Sequence, residues 1–314
     1  MKVVVTGGAG FIGANLCRHL CSEPFVDTVG VLDDLSTGSR GNLADLPVLF
    51  HEGSILNEGD LDAVMVDSDA VVHLAARPSV PRSLADPMAT HRVNATGTMM
   101  VLEGARRHGV QQVILASSSS VYGASRELPK REDAVPMPVS PYAASKLAAE
   151  AYALSFSRSL ELPVLVLRFF NVFGPLQSAG HAYAAVVPTF ISCALAGRPL
   201  PVHGYGTQTR DFTFVETVVT VLSDALRRRV TAPEAVNLAS GSRISLLELI
   251  SALEKVLGRP IPIERLEQRP GDVRDSLADL TRLRRLFPDF RPTPVEEGLR
   301  ATVAWFQEMR IDAA

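Results

Sequence analysis

A tyrosine and a lysine that stand four residues apart could carry out acid–base chemistry. Tyr142 and Lys146 fall near the start of a predicted helix, so their side chains share one face of it. A tyrosine hydroxyl, with an ordinary pKa near ~10, is a poor base at neutral pH. A neighbouring ammonium group stabilises its phenolate, and so does the positive ring of an oxidised nicotinamide. Such a pair could exchange a proton with an alcohol that is oxidised to a ketone, but many exposed helices carry the same spacing by chance.

A glycine-rich turn at the start of the chain could hold the phosphates of a dinucleotide. Gly7, Gly10 and Gly13 follow a predicted strand and precede a predicted helix. Bare backbone in such a turn lets a pyrophosphate approach closely, and the helix start supplies N–H groups and a positive dipole end. Asp33 ends the next predicted strand, where a carboxylate would accept hydrogen bonds from a ribose. The combination predicts a dinucleotide site, whereas the glycines alone would indicate only a tight turn.

Short apolar segments alternate with helical ones, which predicts an α/β fold with a doubly wound parallel sheet. The predicted strands are residues 3–5, 28–32, 48–51, 70–74, 113–116 and 164–169. The predicted helices are residues 14–20, 58–65, 81–108, 142–160, 182–196, 216–228 and 245–257. Ser140 and Pro141 are a typical start for the helix that carries Tyr142 and Lys146.

The character of the sequence changes after residue 175. We expect residues 1–175 to form a dinucleotide-binding Rossmann domain, since the predicted sheet lies there. In residues 176–314 helices alternate with short strands flanked by proline, and we expect a smaller mixed α/β lobe that binds the substrate. Residues 209–240 are expected to return to the first domain through the segments 209–215 and 235–238. No flexible linker separates the two parts, so the site is expected between them.

Composition narrows the classes of function. The chain has 31 Lys and Arg residues against 34 Asp and Glu residues, a net charge of -3 that favours neither nucleic acid nor a membrane surface as partner. Cys17, Cys21 and Cys193 lack the spacing of a zinc site, so we expect buried free thiols and no metal. The first predicted strand begins close to Met1, and no apolar run is long enough to span a bilayer. We therefore expect a cytoplasmic protein.

The ordered motifs resemble those of the extended short-chain dehydrogenase/reductases. Within that family they are most similar to the NAD-dependent sugar-nucleotide epimerases and dehydratases, above all the 4-epimerases of UDP-glucose and UDP-N-acetylglucosamine. The matching segments are residues 7–13 (GGAGFIG), 33–38 (DDLSTG), 73–76 (HLAA), 118–123 (SSSVYG), 140–146 (SPYAASK), 168–175 (RFFNVFGP), 209–212 (TRDF), 237–241 (NLASG) and 269–273 (RPGDV). Because they run through nearly the whole chain in order, a chance match is very improbable.

The resemblance implies NAD as cofactor and a catalytic triad of Ser118, Tyr142 and Lys146. The serine is the one four positions before Tyr122. In the family, Asp33 would hold the adenosine ribose and Lys146 the nicotinamide ribose. The residues implied in NAD binding are Gly7, Gly10, Phe11, Ile12, Gly13, Asp33, Asp34, Ser36, Leu74, Ala75, Ala76, Asn94, Tyr142 and Lys146. Asp33 should repel a 2′-phosphate and so favour NAD over NADP, although Arg40 in the next loop could soften this preference.

The resemblance also implies a UDP-sugar as substrate. The residues implied in substrate binding are Ser79, Ser118, Tyr142, Asn171, Arg210, Arg269, Asp272 and Ser276. Two arginines suit a diphosphate, because charge-assisted and often bidentate hydrogen bonds would anchor it. Whether the nucleotide is UDP or dTDP stays open at this point.

The residues after the catalytic serine distinguish the reactions of the family. The 4,6-dehydratases carry an Asp-Glu pair at the positions of Ser119 and Ser120, and a decarboxylating relative carries Glu at the second position. Hydroxyls at both positions cannot serve as the general acid of an elimination, which leaves 4-epimerisation. A reductase, a 3,5-acting epimerase and a uronate epimerase remain alternatives, although Leu176 and Ser178 stand where uronate epimerases tend to place arginine. A non-enzymatic NAD-binding regulator is disfavoured, since such proteins often lose the Tyr or the Lys.

Two further expectations concern the sugar and the assembly. In related 4-epimerases the residue seven positions after the Arg of Arg-Pro-Gly-Asp lies beside the sugar C2 substituent, and the small Ser276 predicts room for an acetamido group. The simpler interpretation of Ser276 is an exposed serine that caps a predicted helix over residues 277–286. Helical residues 89–107 and 143–157 are apolar on more than one face. Relatives pair these helices across a two-fold axis, so we expect a homodimer.

Overall fold

Seven parallel strands form the main sheet of the protein, whose computed structural model describes residues 1–180, 184–267 and 275–311. These strands are β1 (Lys2–Thr6), β2 (Thr28–Asp33), β3 (Leu49–Glu52), β4 (Ala70–His73), β5 (Gln112–Ser118), β6 (Val164–Phe169) and β11 (Val236–Leu238). Their order across the sheet is β11-β6-β5-β4-β1-β2-β3. The predicted α/β fold with a doubly wound parallel sheet is therefore confirmed.

Helices cover both faces of this sheet. They are α1 (Phe11–Leu20), α2 (Glu58–Met65), α3 (Val80–Ala85), α4 (Pro87–His91), α5 (Gly97–Arg107), α6 (Pro141–Leu160), α7 (Val186–Leu195), α8 (Val215–Arg227), α9 (Leu246–Leu257), α10 (Thr281–Leu286) and α11 (Val295–Ile311). Val3 and Val5 of β1 pack in an apolar cluster with α1 and α8, whereas Val4 packs in a second cluster with α2, α5 and α6. All three valines are fully buried, which explains the β-branched run.

Three small sheets complete the part of the chain that the structure describes. Strand β7 (Val172–Phe173) pairs with β10 (Thr213–Phe214), β8 (Leu200–His203) with β13 (Ile263–Leu266), and β9 (Thr209–Arg210) with β12 (Ile244–Ser245). Of the segments expected to return to the first domain, only β11 joins the main sheet, beside β6. The division of the chain into two lobes stays a prediction.

The long helix predicted over residues 81–108 is broken in the structure. Asp86, in an extended conformation, ends α3 and caps α4 by accepting a hydrogen bond from the N–H of Ala89. The following Pro87 disfavours a helical residue before it. Between α4 and α5, residues Arg92–Thr96 form a π-helical turn, a feature common at functional sites.

The helix predicted over residues 277–286 begins only at Thr281, and Leu280 is its N-cap residue. Ser276 is therefore not the cap of a helix. Nor is it exposed, because only 8% of its surface is accessible to solvent. Its backbone N–H donates a hydrogen bond to the Thr209 carbonyl, so it packs against β9.

The order in which the chain adds strands to the sheet reverses at β1. Strands β2 and β3 follow on one side of it, and β4, β5, β6 and β11 follow on the other. In open parallel sheets, ligands bind at the carboxyl ends of the strands beside such a switch point. The Gly-rich turn, the end of β4 and the end of β5 all lie at this edge. In the described parts of the chain, no helix is long and apolar enough to cross a bilayer.

Candidate active site

The Gly-rich turn after β1 packs so tightly that side chains are excluded. Gly7 has a positive φ of 73°, and a Cβ built on it would lie 2.7 Å from the Ala75 backbone nitrogen. A Cβ on Gly13 would lie 2.2 Å from the Gly7 carbonyl oxygen. The turn is thus pressed against the segment after β4, where Leu74 and Ala75 donate backbone hydrogen bonds to Thr6. These glycines are required by close backbone approach.

Helix α1 begins directly behind this turn and offers an anion-binding end. Gly10 is its N-cap residue and has no side chain to cover the helix start. The first helical hydrogen bond runs from the Ala14 N–H to the Gly10 carbonyl. The N–H groups of Phe11, Ile12 and Gly13 precede that bond and are the donors that a helix start presents to a phosphate. The bare cradle and the helix end fit the pyrophosphate of a dinucleotide.

Asp33, at the end of β2, stabilises the same turn by hydrogen bonds to its backbone. Its Oδ2 accepts the Ala9 N–H at 2.9 Å, and its Oδ1 accepts the Leu35 N–H at 2.8 Å. Burial raises the pKa of this carboxyl, and both backbone N–H groups act against that rise. Each carboxylate oxygen can accept more than one hydrogen bond, so a ribose fits beside these contacts.

The neighbours of Asp33 face solvent. Asp34 and Ser36 are exposed, and Asp34 accepts a hydrogen bond from the Ser36 N–H. The guanidinium of Arg40 lies 5.0 Å from the centre of the Phe50 ring, on which it stacks. The preference for NAD over NADP stays a prediction.

Asn94 joins the wall of this site to helix α6. In the π-helical turn, its amide bonds both backbone groups of Arg77 and donates to the Ser145 hydroxyl at 3.0 Å. Its polar atoms thus connect Arg77, in the segment after β4, with the helix that carries Tyr142. That Asn94 also contacts a cofactor stays a prediction.

The three residues of the predicted triad come together at the carboxyl end of β5. Ser118 ends β5, and its hydroxyl lies close enough to the phenol of Tyr142 to lower the pKa of that phenol. Ser140 caps α6 by accepting the Ala143 N–H, with Pro141 at the first helical position, as predicted. This start places Tyr142 in the first turn of α6 and Lys146 one turn later.

Electrostatics at the triad depend on burial. Burial raises the pKa of Tyr142, while the Ser118 hydroxyl lowers it by stabilising the phenolate. Lys146 donates from Nζ to the Ala116 carbonyl at 2.9 Å, and burial lowers its pKa to about 8. His73, behind Lys146, has a pKa of about 3 because it is buried and lies near that ammonium group. His73 is therefore neutral, and Lys146, one helical turn after Tyr142, is the cation of this region.

A cavity of about 200 Å³ lies beside the predicted substrate residues. It is lined by Asn171, Phe190, Pro201, His203, Gln208 and Arg210, among others. Asn171 donates from Nδ2 to the Asp211 carbonyl, and the Thr213 N–H donates to the Asn171 carbonyl. Asn171 is thereby tied to the segment that carries Arg210. Aromatic, apolar and amide groups with one guanidinium suit a nucleotide base and its phosphates.

Other predicted substrate residues lie around this region or outside the described part of the chain. Ser79 has a φ of 95°, a strained conformation for a residue with a side chain, and its Oγ accepts the Arg82 N–H at the start of α3. Ser276 packs against Thr209, the residue before Arg210. Arg269 and Asp272 fall outside the described residues, so their predicted roles stay predictions.

The sequence prediction missed residues that shape the cavity and its surroundings. Phe190, Pro201 and His203 line the cavity. Their sequence pattern indicates only an apolar helix and a short strand, with no sign of a binding site. Asp211 is completely buried and accepts hydrogen bonds from Ser240, Gly241 and the Ala278 N–H. A charged residue between Arg210 and the aromatic Phe212 was the one available signal for Asp211.

Comparison with known proteins places the chain among enzymes that act on nucleotide sugars. The model of the NAD dependent epimerase/dehydratase family matches residues 3–239. The chain is 36% identical over 317 residues to the UDP-glucose 4-epimerase of Mycolicibacterium smegmatis, covering 98% of this chain and 99% of that protein. It is 35% identical over 317 residues to the dTDP-glucose 4,6-dehydratase of Streptomyces griseus, covering 98% of this chain and 94% of that protein.

Solved structures give the same result at the level of the fold. The UDP-N-acetylglucosamine 4-epimerase from Methanobrevibacter ruminantium M1, in complex with UDP-N-acetylmuramic acid, superposes with a TM-score of 0.92. The two chains are 35% identical, and the match covers 98% of each.

Proposed function

The chain belongs to the NAD-dependent epimerase/dehydratase family and uses NAD as its cofactor, and we propose that it inverts the configuration at C4 of a UDP-sugar. The resemblance noted in the sequence is confirmed by the family match. Family membership alone does not choose the reaction, since the chain is about as similar to a dehydratase as to an epimerase. The choice depends on the residues at the end of β5.

NAD would be held by the Gly-rich turn, the start of α1 and Asp33, whose geometry fits it. Bound there, NAD would supply hydride-transfer chemistry at C4 of the sugar. Lys146 supplies positive charge beside the phenol of Tyr142, and the Ser118 hydroxyl stabilises the same phenolate. Tyr142 then accepts the proton of the sugar O4 hydroxyl and later returns it.

The two serine hydroxyls after Ser118 are the feature that favours epimerisation over dehydration. Ser119 and Ser120 form a short 3-10 turn with Val121 and Tyr122, and the Ser120 N–H donates to the Ser118 Oγ. Elimination of water needs a general acid with a pKa near the working pH, and a serine hydroxyl does not provide one. Within the described residues, the buried Ser120 Oγ has no hydrogen-bond partner, so it can bond a substrate hydroxyl. These features support inversion at C4 without loss of water.

Inversion requires that the oxidised sugar turn over while the nucleotide stays bound. A firm diphosphate anchor with weak contacts to the sugar permits such a rotation. Arg210, at the cavity, is the described candidate for this anchor, and Arg269 is the second predicted one. The base would occupy the cavity beside Phe190 and His203.

We infer that the enzyme accepts sugars with a hydroxyl at C2 as well as sugars with an acetamido group at C2. Ser276 is small and lies against β9, next to Arg210. The expected substrates are UDP-glucose and UDP-galactose together with UDP-N-acetylglucosamine and UDP-N-acetylgalactosamine. A uronic acid is disfavoured because Leu176 and Ser178 replace the arginine expected for its carboxylate.

A substrate panel tests this proposal. The purified protein is incubated separately with the four UDP-sugars, with UDP-glucuronic acid and with dTDP-glucose, and the products are resolved by nuclear magnetic resonance. We expect C4 epimers from the four neutral UDP-sugars. A 4-keto-6-deoxy product from dTDP-glucose, or conversion of UDP-glucuronic acid alone, would contradict the proposal.

A further inference from the structure

A buried ion pair lies beneath the catalytic end of α6. Glu150 follows Lys146 by four residues and Tyr142 by eight, so all three side chains project from one side of the helix. Arg168, in β6, donates from Nε to Glu150 Oε2 at 3.0 Å and makes a second, shorter bond to Oε1. The exposed fractions of the two residues are only 4% and 3%. This bidentate pair fixes α6 to the sheet.

The same carboxylate reaches the end of β5. The Ser117 hydroxyl donates to Glu150 Oε2 at 2.9 Å. Ser117 lies directly before Ser118, and it pairs with Arg168 in the register between β5 and β6. One carboxylate thus connects the helix that carries Tyr142 to the strand end that carries Ser118.

The guanidinium also holds the turn that follows Ser118. It lies 4.8 Å from the centre of the Tyr122 ring and donates from Nη1 to the Tyr122 hydroxyl at 2.9 Å. Tyr122 in turn donates to Asn237 Oδ1 at 2.6 Å. Burial raises the pKa of Tyr122 to about 12, so this phenol keeps its proton and can donate. The turn over Ser119 and Ser120 is therefore held at its far end.

The network continues to the substrate side of the molecule. Asn237 pairs with Arg168 between β11 and β6. Its amide donates to the carbonyls of Lys130 and Asp279. The Lys130 N–H donates to the Leu277 carbonyl, next to Ser276. Ser117, Arg168 and Asn237 thus form one row across three strands, which connects the triad to the segment near the sugar.

Stability alone is a weak reason for such a pair. Buried ion pairs are often replaced by packed apolar residues with little loss, because the cost of removing two charges from water offsets their attraction. Directional hydrogen bonds, in contrast, fix the relative position of the groups that they join. Here the joined groups are the elements that carry Tyr142 and Ser118.

We propose that Glu150 and Arg168 are positioning residues that hold the Tyr142 phenol in register with the Ser118 hydroxyl. This inference rests on the proposed function. If the register is lost, Ser118 stabilises the Tyr142 phenolate less, so the pKa of Tyr142 rises and less phenolate is present at neutral pH. The nucleotide would be held at the cavity by Arg210 and its neighbours, which are not in contact with Glu150 or Arg168, so the loss should fall on kcat more than on KM.

The test compares Glu150→Gln with a matched control on the same strand. Gln112 is a buried polar residue at the opposite end of β5, where its amide donates to the carbonyls of Ala225 and Val230. For Glu150→Gln we expect kcat to fall by ~10²-fold, as for a small misplacement of reacting groups, with KM and bound NAD unchanged. The acid limb of the kcat–pH profile should move to higher pH. Gln112→Leu should lower the melting temperature but leave kcat and its pH profile unchanged.

A milder variant covers the case in which Glu150→Gln does not fold. Ser117→Ala removes only the hydroxyl that joins the strand end to Glu150 and leaves the ion pair intact. We expect a smaller loss of kcat with the same direction of pH shift. Wild-type kcat and pH profile in both variants, or an equal loss of kcat in Gln112→Leu, would overturn the inference.

A titration without substrate separates this inference from the proposed function. The ultraviolet absorbance of phenolate is followed with pH, and the curve of Tyr142→Phe is subtracted so that the difference reports Tyr142. For Glu150→Gln, the curve of the double variant Tyr142→Phe/Glu150→Gln is subtracted in the same way. We expect the titration of Tyr142 obtained from this difference to lie at higher pH than in the wild type. A shift of the Tyr142 titration supports the positioning role of Glu150 and Arg168 even if the protein epimerises no UDP-sugar. If the enzyme is active but the Tyr142 titration does not shift in Glu150→Gln, the positioning role is wrong and the proposed function stands.

Discussion

Tyr142 is the residue on which the proposed chemistry depends most. Tyr142→Phe removes the hydroxyl that we propose takes the O4 proton but keeps the ring, so kcat should fall by at least ~10²- to 10⁴-fold while NAD stays bound. Steady-state rates and the NAD content of the purified protein measure these two effects. Tyr152→Phe, on the exposed side of the same helix, is the control and should retain full activity. A Tyr142→Phe enzyme with near-normal turnover would show that another group moves the proton.

Ser276 should set the size of the C2 substituent. Ser276→Tyr fills space beside β9, so activity on UDP-N-acetylglucosamine should fall ~10²-fold further than activity on UDP-galactose. Steric exclusion acts only on the larger substituent, which makes the ratio of the two kcat/KM values the quantity to measure. Ser276→Ala keeps the space and should leave that ratio unchanged. If Ser276→Tyr lowers kcat/KM equally for both sugars, Ser276 does not line the pocket for the C2 substituent.

Motif residues could be predicted individually because their chemistry is local. Gly7 needs bare backbone against Ala75, and a tyrosine and a lysine four apart share a helix face whatever the rest of the fold. Ser276 shows the limit of this approach. A serine before an apolar run predicts a helix cap, but the contact with Thr209 is made across the fold and buries it instead.

At the scale of elements, Asp211 ties three segments together. It follows β9 and accepts hydrogen bonds from the loop after β11, at Ser240 and Gly241, and from Ala278 before α10. Asp211→Asn turns one acceptor into a donor that faces these N–H groups, which should cost ~1–3 kcal/mol of folding free energy. Because Arg210 is adjacent, KM for the UDP-sugar should rise more than kcat falls. Thermal unfolding and steady-state kinetics test both effects, and an unchanged melting temperature would contradict them.

The same substitution has a predictable pH dependence. Burial raises the pKa of Asp211 from 3.8 to about 6. The folded state thus binds this proton more tightly than the unfolded state, and its contribution to stability is lost as pH rises through that interval. Because Asn cannot titrate, the difference in melting temperature between wild type and Asp211→Asn should shrink as pH rises from 3.8 to about 6. A difference that grows would show that the hydrogen bonds outweigh burial.

Strands and helices could be predicted where they depend on the local residue pattern. They could not be predicted where their structure depends on contacts between residues that are distant in the sequence. The strand Val164–Phe169 has the predicted bounds, because its β-branched and apolar run is buried on both faces. The π-helical turn at Asn94 could not be predicted, since it depends on hydrogen bonds to Arg77 and Ser145. The pair of Glu150 and Arg168 was likewise missed, because its partners come together only when β5, β6 and α6 pack.

At the scale of the whole molecule, we predict a homodimer formed through α5 and α6. Met99 and Tyr152 are exposed on these helices, and Met99 and Phe156 line a hollow that also contains the charged side chains of Glu103 and Arg107. Covering such a surface with a second copy would remove it from water. Light scattering at micromolar concentration should give a dimer for the wild type and a monomer for Met99→Glu. Leu49→Glu, on the far edge strand β3, is the matched control and should stay dimeric, and a monomeric wild type would contradict the prediction.

In the proposed reaction a hydride leaves C4 and returns to C4, with inversion and without loss of water. This route can be followed with UDP-glucose that carries deuterium at C4, with the mass and the deuterium position of the product read by mass spectrometry and nuclear magnetic resonance. We expect UDP-galactose of unchanged mass with the deuterium still at C4. A product lighter by one water, with the deuterium moved to C6, would show a dehydratase and contradict this expectation.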